Sequence, residues 1–250
     1  MDALQKEDET LEDLQLNGLK ILQKTSGFRF GMDSVLLADF AQVRPTDHVA
    51  DFGTGTGILP LLLIGRGKGS CFEAIEIQHE YCEMAERTIR INGLENRIHI
   101  IHGDAGLAAD YLPPCSMDCV ICNPPYGIAG STLSSPFPDR AAARSQSPDT
   151  LERFFNAAFR ILKGKGKLFL VYPAPQMLSM MLILLRCHLQ PKRFRMVYPQ
   201  ADKPSNLVLM EAVKDARPML HPMPPLIIYE KDHTLTKELQ SVYHIEQNMV

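Results

Sequence analysis

The stretch Val49-Ala50-Asp51-Phe52-Gly53-Thr54-Gly55-Thr56-Gly57-Ile58 decides the fold. The run from His48 to Phe52 has the length and apolar character of a buried strand. Three glycines at alternate positions follow, and an apolar helix opens on them and runs to Gly65. Glycine lets the backbone take positive φ and pass close to a ligand. The start of a helix offers N–H groups that have no partner within the helix. Strand, glycine turn and helix in that order form the ligand-binding unit of open parallel sheets.

A regular alternation continues outward from that unit. Cys71 to Ile77 reads as a strand and His79 to Asn92 as a helix, then Ile98 to His102 as a strand and Ala105 to Tyr111 as a short helix. Met117 to Cys122 is a further strand. Asp149 to Leu162 is a helix with Leu151, Phe154, Phe155, Ala158 and Leu162 at helical spacing, Lys163 to Gly166 a turn, and Lys167 to Tyr172 the fifth strand. Strands alternating with helices imply βαβ units and a parallel sheet covered on both faces. Arg193 to Tyr198 and Asn206 to Val213 have no helix between them, so they pair antiparallel. The expected fold is α/β, a mostly parallel seven-stranded sheet with an antiparallel final hairpin.

The flanks carry less information. Residues 1 to about 16 hold Glu7, Asp8, Glu9, Glu12 and Asp13 and read as a solvated, partly disordered tail. Gly18 to Phe30 suggests a small hairpin around Gly27. Asp33 caps a helix over Ser34 to Val43. Met177 to Leu189 reads as a buried core helix, and Pro218 to Pro225 as an extended connection. The expected division is an N-terminal acidic tail and covering segment (1–45), a main domain (46–230) and a C-terminal tail (231–250).

The chain has 250 residues and a net charge of −3, which gives no general drive towards nucleic acid and leaves room for a local basic patch. No run approaches the roughly 18 apolar residues of a membrane span, and no secretory signal opens the chain, so a cytoplasmic location is expected. Six cysteines are present. Cys119 and Cys122 form a C-x-x-C, but three residues apart on a strand they point to opposite faces. No second pair stands at zinc-ligand spacing, so no metal is expected.

The glycine pattern selects a cofactor class. Dinucleotide enzymes use G-x-G-x-x-G, and here Ile58 occupies the place of the third glycine. G-x-G-x-G preceded by an acidic residue, here Asp51, is the pattern of S-adenosylmethionine enzymes. Glu76 closes the next strand 23 residues after Gly53, where an acidic side chain can accept both ribose hydroxyls. Asp104 follows the strand after that and can accept from an adenine amine.

Asn123-Pro124-Pro125-Tyr126-Gly127 follows the fourth strand. Exocyclic amines are poor nucleophiles because the ring withdraws their lone pair. The Asn123 side-chain oxygen and the Pro124 carbonyl can each accept one hydrogen of an NH₂ group, which draws its nitrogen towards sp³. Pro125 stiffens the turn, and Tyr126 offers a face for stacking a planar group. Arg140 and Arg144 stand just beyond, suited to phosphate. Lys163, Lys165 and Lys167, with Lys192, Arg193 and Arg195, form further basic clusters.

The two core motifs together resemble the Rossmann-like N6-adenine and N5-glutamine methyltransferases. Leu16 to Gln23, Phe28 to Leu37 and Asn206 to Glu211 extend the likeness to bacterial tRNA (adenine-N6)-methyltransferases, acting beside the valine tRNA anticodon, over roughly residues 10 to 230. The resemblance implies a class I methyltransferase fold. It implies S-adenosylmethionine contacts at Asp51, Gly53, Gly55, Gly57, Glu76, Asp104 and Asn123. Catalysis is implied at Asn123, Pro124, Pro125 and Tyr126, and a cofactor cover at Phe28 to Asp33; the substrate contacts at Tyr126, Arg140 and Arg144 rest on the residues' own chemistry and place in the chain. The implied substrate is RNA, most specifically tRNA. Rival substrates are ribosomal RNA, DNA and a protein glutamine, the last disfavoured because only 47 residues precede the first main strand. A non-catalytic RNA-binding scaffold has no use for Asn123 to Tyr126, and Ile58 disfavours a nicotinamide oxidoreductase. Oligomeric state is not legible.

Overall fold

A computed structural model describes residues 4–26, 31–124 and 148–243. Seven strands form the main sheet: β3 (His48–Phe52), β4 (Cys71–Glu76), β5 (Ile98–His102), β6 (Met117–Cys122), β7 (Leu162–Pro173), β8 (Leu189–Tyr198) and β9 (Leu207–Lys214). Their order across the sheet is β5-β4-β3-β6-β7-β9-β8, all parallel except β9, which runs antiparallel to both β7 and β8. The expected class and final hairpin hold. Two two-residue strands, β10 (His221–Pro222) and β11 (Leu226–Ile227), extend the sheet parallel to β8, so the proline-rich stretch is extended but not merely a connection. β3 lies between β4 and β6, so the chain reverses its direction of winding there, and open α/β sheets hold ligands at that point.

Strict side-chain alternation divides the core into two layers. Val49, Phe72, Ala74, Cys119, Ile121 and Phe169 face one layer, under α1 (Met32–Phe40) and α2 (Ile58–Gly65). Ala50, Phe52, Ile75, Val120, Cys122 and Leu170 face the other, under α5 (Pro148–Ile161) and α6 (Met177–Arg186). Cys119 and Cys122 fall in opposite layers, as the strand period requires. Short α4 (Ala108–Tyr111) joins the second layer, and α3 (His79–Ile91) sends Ile89 into the first.

Several expectations need correction. The acidic segment is not a tail. β1 (Glu9–Asp13) pairs antiparallel with β2 (Lys20–Lys24), so the hairpin turns before Gly27. Glu9 is buried because both its carboxylate oxygens meet Arg87 of α3, at 2.6 and 2.7 Å. Leu22 N–H donates to Thr88 and Lys20 N–H to Asn92, fastening the hairpin along α3. α1 begins at Met32 with Gly31 as its cap, placing Asp33 in the first turn rather than at the cap. The expected Lys163–Gly166 turn is a bulge inside a longer β7: Leu162 opposes Met117 and Lys167 opposes Cys119. α6 buries Met180, Ile183 and Leu184 but leaves Leu178, Leu182 and Leu185 exposed, so it covers the sheet with one face only. The end of the chain includes α7 (Lys237–Val242), whose Leu239 and Val242 enter the first core layer. No helix among the described residues is long and apolar enough to cross a membrane.

Candidate active site

β3 ends at Phe52, which pairs with Cys122 on one side and Ile75 on the other. Gly53 and Asn123 therefore leave adjacent strands side by side, with strands ~4.8 Å apart, and Glu76 leaves β4 on the far side of Gly53. Gly53, Gly55 and Gly57 have φ of 74°, 56° and 85°, the left-handed region that only glycine enters freely. A Cβ at Gly53 or Gly55 would meet nothing within 4 Å, so the glycines line open space. Gly57 caps α2 and aims its N-terminus along the same opening.

Glu76 organises these loops. One carboxylate oxygen accepts from Gly55 N–H and the other from Gln78 N–H, both at 2.9 Å. Its backbone carbonyl accepts from Gly103 N–H at 2.9 Å. One residue thus ties the ends of β3, β4 and β5 together.

Asp51 is fully buried in β3, and neither of its oxygens has a hydrogen-bond partner among the described residues. Burial pushes its carboxyl up to about 7, and the charge of Glu76 adds to the shift. The Thr54 hydroxyl stands near enough to oppose the shift but not in hydrogen-bonding geometry. A buried acceptor left unsatisfied costs roughly 1–3 kcal/mol, more when charged. This orphaned carboxylate fits a cofactor that brings positive charge and N–H donors, as an S-adenosylmethionine carrying an ammonium and a sulfonium does.

Asp104 is engaged by the protein itself. One oxygen accepts from Gly106 N–H at 2.8 Å and caps a single 3₁₀ turn, Ala105–Leu107. The other accepts from Arg153 of α5 at 2.6 Å. The end of the Tyr111 ring lies against Gly103 beside it: a Cβ there would stand 2.6 Å from the ring, which would have to shift. Ile77, Leu107 and Tyr111 are exposed apolar residues around Asp104. Sequence reasoning singled out none of the three. The one available signal was Ile77, an apolar residue next to an acidic strand end.

Asn123 is half-buried and its Nδ2 donates to the Ser34 hydroxyl of α1 at 3.2 Å. Ser34 is another residue the motif reading missed, because it lies 89 positions away in the chain. Pro124 is buried directly after Asn123. Pro125, Tyr126, Arg140 and Arg144 lie outside the described residues, as do Phe28, Arg29 and Phe30 of the expected cover.

The other basic clusters are not gathered around this opening. Lys163 pairs with Asp118 and Lys167 with Glu211, at the amino ends of β6 and β7. Lys165 and Lys192 donate to backbone carbonyls. Arg193 pairs with Glu211 and packs over the Phe40 ring at 4.4 Å, and Arg195 pairs with Glu238.

Known proteins resemble this chain in sequence and in fold. A family model described as methyltransferase small domain matches residues 26–190. A protein of Parabacteroides distasonis named tRNA1(Val) (adenine(37)-N6)-methyltransferase is 28% identical over 86% of this chain and 88% of its own length. One of the same name from Tolumonas auensis is 30% identical over 75% of this chain and 77% of its own. Among solved structures, a predicted O-methyltransferase from Agrobacterium tumefaciens aligns with a TM-score of 0.69 at 23% identity, covering 85% of this chain and 96% of that one. P. horikoshii TYW2 in complex with MeSAdo aligns with a TM-score of 0.59 at 17% identity, covering 84% and 73%. At these identities the solved structures speak for the fold.

Proposed function

This chain belongs to the methyltransferase small domain family, and we propose that it transfers the methyl group of S-adenosylmethionine to N6 of an adenine in tRNA, beside the anticodon. The names of its curated relatives support the substrate. The observation that carries the chemistry is the placement of Asn123 beside the glycine turn, on neighbouring strand ends of one rigid sheet. A tRNA substrate also agrees with a cytoplasmic location.

The cofactor supplies an electrophilic methyl on a sulfonium, so this chain need only bind, orient and activate. Asp51, Gly53, Gly55, Gly57, Glu76, Asp104 and Asn123 would hold the cofactor. Glu76 keeps acceptor capacity beyond its two backbone bonds, which would serve the ribose hydroxyls. Asp104, bonded to Arg153 and to its own turn, would accept from the adenine amine with its remaining lone pairs. The Asn123 oxygen and the Pro124 carbonyl accept the two N6 hydrogens, so the nitrogen lone pair turns out of the ring plane. Tyr126 stacks on the base, worth roughly 1–3 kcal/mol. On methylation the nitrogen would shed one of the two protons that these acceptors hold, and since neither acceptor is a base that keeps it, that proton would pass to solvent. Holding the reacting atoms in line supplies a large part of the rate. An adenine within a structured loop must be swung out to reach Tyr126.

The test is transfer of labelled methyl from S-adenosylmethionine to tRNA from a strain lacking the gene, with ribosomal RNA, DNA and release factor in parallel. Label in tRNA, recovered as N6-methyladenosine, is the expected result. Label confined to ribosomal RNA, DNA or protein overturns the tRNA assignment and leaves the planar-nitrogen chemistry standing.

A further inference from the structure

A second cluster lies away from the cofactor loops, at the amino half of β4 and the edge strand β5. Cys71 and Glu73 are two residues apart on β4 and share one face of the sheet. His99 stands opposite Glu73 in the register and presents its ring to the same face. His99 Nδ1 lies 3.2 Å from a Glu73 carboxylate oxygen and 3.9 Å from Cys71 Sγ. One ligand atom from each residue fits within 4.8 Å of the others.

These separations have a chemical meaning. A tetrahedral Zn²⁺ takes sulfur at about 2.3 Å and nitrogen or oxygen at about 2.0–2.2 Å. The edges of that tetrahedron are then roughly 3.3 Å from nitrogen to oxygen and 3.6 Å from nitrogen to sulfur. The nitrogen–oxygen and nitrogen–sulfur spacings found here need only a few tenths of an ångström of adjustment, and the sulfur and the carboxylate oxygen lie within 4.8 Å of each other. The donor set, one thiol, one imidazole and one carboxylate, suits zinc and its neighbours rather than calcium or magnesium. All three side chains reach solvent, so an ion has an entry path and room for a water as fourth ligand.

We propose that Cys71, Glu73 and His99 form a binding site for Zn²⁺ or a similar late transition-metal ion, which bridges β4 to the edge strand β5. Two strands that meet through backbone hydrogen bonds gain a side-chain staple across their open face. Edge strands are otherwise exposed to unwanted pairing. Binding exchanges the thiol proton for the metal, so a proton is released as the ion binds. The Arg97 guanidinium, the neighbouring cation, is held by the Ser70 and Gly69 carbonyls. From Glu73 the chain runs three residues to Glu76, roughly 10 Å, so the ion does not join in methyl transfer.

The test titrates Co²⁺ alone into the full-length protein, kept reduced with a phosphine, and follows the thiolate-to-cobalt charge-transfer absorption. The expected result is one ion per chain with that absorption, displaced by Zn²⁺ and accompanied by a Zn²⁺-dependent rise in Tm. Cys71→Ser abolishes the absorption and the Tm rise. His99→Ala weakens binding by more than the roughly 10–100-fold that follows loss of a mere outer partner. Cys115→Ser, which removes another exposed thiol, leaves both signals intact. Absence of the charge-transfer absorption in the wild-type protein, its survival in Cys71→Ser, or its loss in Cys115→Ser overturns the assignment. Circular dichroism of each variant without metal keeps a folding defect from passing as a lost ligand.

Discussion

At the residue scale, Asp51 joins stability to cofactor binding. Its carboxyl is raised from 3.8 to about 7 by burial. Between those values the unfolded carboxyl is ionised while the folded one keeps its proton. The cofactor-free protein therefore loses stability as pH rises through that window, at up to roughly 1.4 kcal/mol per unit. Above about 7 the penalty is constant. Asp51→Asn removes it, so this variant should have a higher Tm than the wild type at pH 8 without cofactor, measured by calorimetry. It should also bind S-adenosylmethionine more weakly, because the cationic ligand stabilises the ionised form. Wild-type affinity should rise from pH 6 to pH 8 while that of Asp51→Asn stays flat, and parallel pH profiles would remove Asp51 from the cofactor site. Asn123→Ala tests the chemistry by a different split. It should keep most of the cofactor affinity and lose turnover by roughly 10²–10³-fold, the scale on which losing one oriented polar contact to a transition state is felt. Single-turnover rates with saturating cofactor make the comparison, and a fully active variant defeats the two-acceptor mechanism.

At the scale of elements, the N-terminal hairpin rests on one buried pair. Arg87 holds the Glu9 carboxyl below its ordinary range. That contribution is present above the unfolded carboxyl's pKa and is lost as pH falls through the lowered folded value. Removing one partner of such a pair costs about 3–5 kcal/mol, since the other charge stays buried alone. Glu9→Ala should lower the urea midpoint accordingly and raise protease sensitivity within residues 4–26. If neither changes, the hairpin is held by its backbone bonds to Thr88 and Asn92. The same pair explains why the hairpin was not legible beforehand. Glu9, Glu12 and Asp13 look like a solvated tail because the sequence hides that Arg87 lies 78 positions away. The outer face of α6 misled in the opposite sense: Leu178, Leu182 and Leu185 carry a core's composition but are exposed, with no layer over them among the described residues. The central strands were legible almost to the residue because alternation, glycines and helix spacing are local signals. The stitching by Glu76, the Arg153–Asp104 pair and the Ser34–Asn123 contact were not, because each is a product of packing.

On the scale of the whole molecule, the sheet separates the faces that can meet RNA from those that cannot. With a net charge of −3, the protein has no general attraction for a polyanion. Affinity for tRNA must then come from cations near the strand ends that carry Gly53 and Asn123. Lys163, Lys165 and Lys167 sit at the opposite end of β7, and Lys163 and Lys167 are neutralised by Asp118 and Glu211. Arg140 and Arg144 follow directly on the segment that begins at Asn123. Each phosphate contact contributes about 0.7–0.9 to the slope of log affinity against log salt. Arg140→Ala combined with Arg144→Ala should therefore weaken tRNA binding and reduce that slope by roughly 1 to 2. Lys163→Ala combined with Lys165→Ala should leave the slope unchanged and lower only stability. Filter binding across a salt series reads both pairs. A slope that follows the lysines instead would put the tRNA on the amino-end face of the sheet, where no base could reach Asn123, so the same experiment bears on the adenine acceptor as well as on the arginines.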